Sequence, residues 1–308
     1  MAKSVRLPLT QQLYGTEYKT VEPLLTSIAE KYKQSSSAAK AFLDALLLDQ
    51  SSGNTPEERK SVQTAYLSAT EEGSPDAFCN LGVFYETSSP ANRKKAIECY
   101  KKAIGLTEAL LGQGHPVAMC NLGAMLADGS GIETDEATAF ELFTDAATLG
   151  NPTAYLNLGI CYHYAKGCVK DTALASSNYK KAMEKGVAEA YFRMGTLCLE
   201  NCDAPNQTEF SVDKAIAHFK KAAQMGISDA YFELACIYSE LRKDDALMIE
   251  NCQKAVDKGN SNAAFMLAQC YLDGTGVTKN RQKAISLLKK AAAGGNRGAK
   301  RKLDALQN

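Results

Sequence analysis

No tryptophan occurs in the 308 residues, and proline and histidine are sparse, at eight and three. The absence of tryptophan and the scarcity of proline decide no fold. The three histidines, His115, His163 and His218, occupy dissimilar places and pair with no nucleophile at a recognisable spacing. Charge of one sign is also missing. Lys plus Arg equal Asp plus Glu at 35 each, so no net field favours nucleic acid or an anionic membrane. No apolar run approaches the ~20 residues that a membrane-spanning helix needs, so direct membrane insertion is not expected. The opening MAKSVRLPLTQQLYG has no continuous apolar core before a small-residue cleavage site, and no secretory signal is read there. Ten cysteines are present without any CxxC. Cys79 matches Cys120 and Cys161 matches Cys270, while the others are scattered. We read them as reduced thiols acting as small buried hydrophobes, and the chain as cytoplasmic.

What the chain has in quantity is one spacing. Alanines stand eight residues apart at Ala69/Ala77, Ala146/Ala154, Ala182/Ala190, Ala222/Ala230, Ala255/Ala263 and Ala291/Ala299, each pair with a glycine four residues into the gap. That pattern describes two helices pressed together around a tight turn. Its recurrence at a period of a few tens of residues predicts a solenoid. The first helix of each unit reads as in Ala77-Phe-Cys-Asn-Leu-Gly82 or Ala154-Tyr-Leu-Asn-Leu-Gly159, with alanine, leucine and an aromatic four apart on one face. The small residue after the leucine admits a neighbouring helix. Connectors such as Asp128-Gly-Ser-Gly-Ile132, Asp273-Gly-Thr-Gly-Val277 and the reduced Lys166-Gly-Cys-Val169 follow, their Ile or Val expected to tuck into the core. The second helix reads as in Lys214-Ala-Ile-Ala-His-Phe-Lys-Lys-Ala222.

These signatures place helix pairs at about 38–72, 76–111, 117–149, 153–185, 189–225, 229–258 and 262–294, with a capping helix at 298–307. The first pair is degenerate, and Gly105 to His115 reads as a longer helix and loop. Residues 1–37 form a separate N-terminal segment with one helix at 21–34, and the solenoid fills 38–308.

Taken in order, the Ala-x-x-x-Leu-Gly-x-x-Tyr helix, Asp-Gly-x-Gly-Val connector, Lys-Ala helix and Lys-Ala-Ala-x-x-Gly turn resemble the Sel1-like repeat, a relative of the tetratricopeptide repeat. The likeness covers roughly residues 60–300. It implies an all-α fold, a right-handed α/α superhelix, and a non-enzymatic adaptor or scaffold holding a protein or peptide on its concave face. Ala235 and Ala268 depart from the signature glycine. The cysteine-rich bacterial branch of the family pairs two cysteines regularly in each repeat, which this chain does not.

First helices line the concave face of such a solenoid. At 100 degrees per residue, with alanine, leucine and tyrosine turned inward, the position two after the alanine lies on the side away from the pair's core. It holds Cys79, Cys120, Leu156, Phe192, Phe232 and Phe265, and one turn later come Val83, Ala124, Ile160, Thr196, Cys236 and Gln269. Two readings stand for this column: packing between repeats, or a surface that receives a peptide or helix. Beside it run Asn80, Asn121, Asn157, Arg193 and Glu233, whose amides and charges suit a peptide backbone or bond within the array. His163 and Tyr164 add a polar edge.

Reaction chemistry is thin. Ser-x-x-Lys at Ser37/Lys40, Ser177/Lys180 and Ser286/Lys289 is what chance supplies in a lysine-rich helical repeat. Cys161, His163 and Cys168 lack an evident fourth zinc ligand, with Cys198 or Cys202 the nearest candidates. The Asp-Gly-x-Gly connectors lack the later glutamate of a calcium loop. Asn206-Gln-Thr208 is a glycosylation sequon only on a secretory route. No cofactor, metal or nucleic-acid partner is expected. The alternatives are an enzyme, either β-lactamase-like or using a thiol or metal site at Cys161–Cys168, and a regulatory subunit of a membrane-associated enzyme complex.

Overall fold

The computed structural model describes residues 36–51, 55–201 and 211–307. The helix expected at 21–34, Cys202 and the Asn206 sequon lie outside the described residues. Among the described residues there is helix and no strand. The chain divides into two compact units, Met1–Lys185 and Gly186–Asn308. The first contains α1 (Ser36–Ser51), α2 (Pro56–Glu71), α3 (Pro75–Ser88), α4 (Arg93–Leu111), α5 (Pro116–Asp128), α6 (Glu136–Thr148), α7 (Pro152–Tyr164) and α8 (Thr172–Glu184), with a short 3₁₀ turn at Pro90–Asn92. The second contains α9 (Ala188–Glu200), α10 (Val212–Gln224), α11 (Ser228–Glu240), α12 (Asp245–Asp257), α13 (Ser261–Asp273), α14 (Arg281–Ala293) and α15 (Arg297–Gln307). Within each unit, helices pack as consecutive hairpins.

The alanine spacing has a local cause. After a second helix, the amide of Asn151 donates to Ala146 O at 3.0 Å, that of Asn260 to Ala255 O at 2.9 Å and that of Asn296 to Ala291 O at 3.0 Å. These bonds close the helix end through a left-handed glycine and deliver a capping side chain to the next helix. Asn151 Oδ1 accepts from Ala154 N at 3.0 Å and Asn260 Oδ1 from Ala263 N at 2.8 Å. One alanine thus closes a helix and the other opens the next, and both are fully buried.

The signature glycine has a specific neighbour. A methyl added at Gly82, Gly123, Gly159 or Gly195 would lie 2.6, 2.8, 2.4 or 2.8 Å from the ring of Tyr100, Phe143, Tyr179 or Phe219, each on the second helix of the same pair. All four rings are fully buried. Glycine costs a helix about 1 kcal/mol relative to alanine, and burying an aromatic ring returns roughly 2–3 kcal/mol. Where alanine stands instead, the second helix carries no ring at the corresponding place: Cys252 for Ala235 and Leu288 for Ala268. The departures are therefore paired changes that keep the hairpin closed.

The far end of each ring follows the same logic. Tyr100 Oη donates to Glu86 Oε2 at 3.0 Å, and Tyr179 Oη shares a 3.2 Å hydrogen bond with His163 Nδ1. Where the ring is Phe143 or Phe219, the matching first-helix position is apolar, Ala127 or Leu199. Hydroxyl and partner come and go together, as a buried polar group requires.

Successive first helices are latched by their caps. His115 Nδ1 accepts from Ala118 N at 3.2 Å, which leaves Nε2 to donate to Asp76 Oδ1 at 3.0 Å, both side chains fully buried. Asn260 Nδ2 donates to Asp229 Oδ1 at 2.8 Å, and Asn296 Nδ2 to Asn262 Oδ1 at 2.9 Å.

One connector corrects its sequence reading. Val169 does not tuck into the core; it is 86% exposed. Lys166 N bonds Cys161 O as Ser130 N bonds Met125 O, so Cys168 occupies the place of Ile132. Both Cys168 and Ile132 pack on the core while Val169 falls one residue beyond. Gly167, at φ +68°, could carry no side chain there: a Cβ would come within 2.0 Å of Glu136 O.

Candidate binding face

The packing above orients the first helices. Their glycine face, about 140 degrees from the leading alanine, meets the second helix. The position two after the alanine lies beside it rather than opposite, which corrects the angular reading from sequence. Phe192 sets its ring edge-on against Phe219 of the same pair at 5.4 Å, and Phe265 lies against Gly298 at the start of α15. Leu156 and Ile160 are buried, while Phe192, Phe232 and Phe265 are half-buried.

His163 is fully enclosed and hydrogen-bonded to Tyr179, so its place is the hairpin interior. Tyr164, 37% exposed, stacks on the His163 ring at 4.1 Å.

The face turned away from both the second helix and the alanine stripe runs through positions spaced four, seven and eleven apart. On α5 these are Val117, Asn121, Ala124 and Asp128, and on α7 Thr153, Asn157, Ile160 and Tyr164. On α9 they are Glu189, Arg193, Thr196 and Glu200, and on α11 Asp229, Glu233, Cys236 and Glu240. Asn80, Asn121, Asn157, Arg193 and Glu233 hold the same place on five first helices.

Their environments differ. Asn80 Nδ2 donates to Tyr66 Oη at 3.3 Å, and Asn157 Nδ2 to Cys120 Sγ at 3.5 Å. Asn121 is fully buried, and among the described residues neither its Oδ1 nor its Nδ2 has a hydrogen-bond partner; Thr153 Oγ1 has none there either.

In the second unit the face is acidic. Arg193 pairs with Glu189 at 2.7 Å and lies over the Phe192 ring. Burial holds the Glu189 carboxyl above the usual range against the opposing pull of Arg193. Burial, then the like charges of Asp229 and Glu240, raises Glu233 as well. Burial, then Glu233 and Glu240, pushes the Cys236 thiol up to about 11. The sequence reading named Glu233 but missed Glu189, Asp229 and Glu240. Their spacing along each helix was the available signal.

The enzyme alternatives can be set against this geometry. Burial chiefly, with Cys168 adding, pushes the Cys161 thiol up to about 12, the reverse of what activates a nucleophile or metal ligand. Among the described residues no group of three or more His, Cys, Asp and Glu could hold a metal ion. All three Ser-x-x-Lys pairs lie on exposed helix surface.

The Sel1 repeat family model matches residues 75–106, 116–151, 152–187, 188–227 and 261–296, more than half of the chain. This chain belongs to the Sel1 repeat family. The pair α11–α12 falls outside those matches; it carries Ala235 and Cys252 in place of glycine and ring, yet forms the same hairpin. A crystal structure of a Sel1 repeat protein from Oxalobacter formigenes is similar at 26% identity and a TM-score of 0.58, over 70% of this chain and 88% of that one. The c5321 protective antigen of uropathogenic Escherichia coli, which displays the same repeat fold, is similar at 22% identity and a TM-score of 0.62. That likeness covers 96% of this chain but 63% of the antigen, and it speaks to fold alone. No curated protein matches the chain. No helix among the described residues is long and apolar enough to cross a membrane.

Proposed function

We propose that this Sel1 repeat protein is a non-enzymatic scaffold in the cytoplasm that holds a protein partner, through an extended segment, along the outward face of the first helices of its second unit. The observation that carries the reading is the partly exposed outward face of α9 and α11, where Glu189, Arg193, Asp229 and Glu233 stand at positions that no contact within the hairpin requires. A peptide offers N–H donors that such half-buried carboxylates accept. Family membership supports the same reading, because helix-pair repeats present long surfaces and few convergent reactive groups. The buried thiols, held protonated, fit packing better than catalysis.

The test is capture of partners by the full chain, with Thr196→Arg plus Cys236→Arg compared against Lys220→Glu on a second helix. Loss of the captured protein with the first variant alone supports the reading. Equal capture by both variants, with helicity intact, would refute it.

A further inference from the structure

Within the second unit, the outward face of α11 carries charge that the fold leaves unbalanced. Asp229, Glu233 and Glu240 follow one another along that face, one and two turns apart and beyond. Glu233 is half-buried, and among the described residues neither it nor Glu240 has an ion pair. The one cation on the equivalent face of α9, Arg193, is committed to Glu189. Asp229 is held in place by the amide of Asn260, which leaves its charge intact. Between the carboxylates Glu233 and Glu240, on the same face of α11, lies the half-buried Cys236 thiol.

The geometry points to a lysine- or arginine-bearing segment of a partner protein as the occupant of this face, its cations on Glu233 and Glu240 and an intervening apolar side chain on Cys236. Charge complementarity selects the occupant. An acidic segment would add repulsion to carboxylates that already repel one another, and a neutral one would leave them desolvated and unpaired. Burial and neighbouring negative charge already disfavour the Glu233 carboxylate, and an incoming cation relieves both. The inference rests on the scaffold reading above and adds the chemistry of the partner.

The probes are three fluorescein-labelled peptides of about twelve residues, leucine alternating with lysine, serine or glutamate, titrated into the whole protein by anisotropy. The lysine peptide is expected to bind ~10-fold or more tighter than the serine peptide, and the glutamate peptide weakest. Glu233→Gln with Glu240→Gln should bring the lysine peptide down to the serine value, while Glu250→Gln on α12 should leave it unchanged. Equal loss with Glu250→Gln, or no discrimination among the peptides, overturns the inference. Should the captured partner bind α11 through a neutral or acidic segment, the inference fails while the scaffold reading stands.

Discussion

In α5 and α7 the outward positions hold Asn121 and Asn157, both fully buried; in α9 and α11 the same positions hold Arg193 and Glu233, both partly exposed. One interior contact is common to the two units. Gly123 against Phe143 in the first is repeated as Gly195 against Phe219 in the second, where an added methyl would lie 2.8 Å from the ring in both. The hairpin is thus specified by a small set of shared contacts, and the outward face is released from that duty. One unit spends it on amides, the other on carboxylates.

The largest test of the shared interior is Gly159→Ala and Gly195→Ala, one per unit. Each should destabilise by about 1–3 kcal/mol in urea unfolding, because overpacking outweighs the gain in helix propensity. Adding Phe219→Leu to Gly195→Ala should recover part of the loss, since it recreates the pairing of Ala268 with Leu288. A double variant no better than the sum of the singles would contradict the pairing rule.

A smaller effect separates the hairpin ends. Tyr179→Phe should cost about 1–2 kcal/mol by depriving His163 of its hydroxyl partner. Combining it with His163→Leu, which copies Phe219 and Leu199, should cost less than the two singles together. Additive costs would show that the pair is not coupled.

Next comes the latch. Asn260→Ala should lose about 1 kcal/mol, since it removes both the cap on Ala263 and the bond to Asp229. Asn260→Ser should retain part of it by keeping a cap. Thermal unfolding of the two variants, compared with wild type, decides.

The smallest effect concerns pH. The folded Glu233 carboxyl sits above its usual value, so the native state binds its proton more readily than the unfolded chain. That contribution to stability is present at low pH and is lost as pH rises through the unfolded value and then the folded one. Glu233→Gln should therefore raise the thermal midpoint slightly at neutral pH, and the gain should vanish in acid. A gain that persists in acid would mean the charge is not its source.

The hairpins, their turns and the paired alanines were legible because backbone closure and helical periodicity leave marks at fixed spacings. What periodicity supplies is the angle between residues on one helix, not the direction of the helix that covers them. For that reason Phe192 was turned to the wrong side, although its ring meets Phe219. His163 was placed on an edge because nothing in its own helix announces Tyr179, sixteen residues on. Val169 was misplaced by a single residue: Ala165 adopts the left-handed conformation that glycine takes at Gly129, so the connector's register is hidden from composition. Asn80, Asn121 and Asn157 were legible as a stripe, yet their unequal hydrogen bonding depends on neighbours in other repeats.

Site-specific photo-crosslinking tests the central claim most directly, with the reactive side chain placed at Thr196 or Gln269 on first helices and at Leu174 or Lys220 on second helices. The account predicts adducts with one partner protein from the first-helix positions and none from the others. Adducts formed equally from Leu174 and Lys220, or from those two alone, would contradict it.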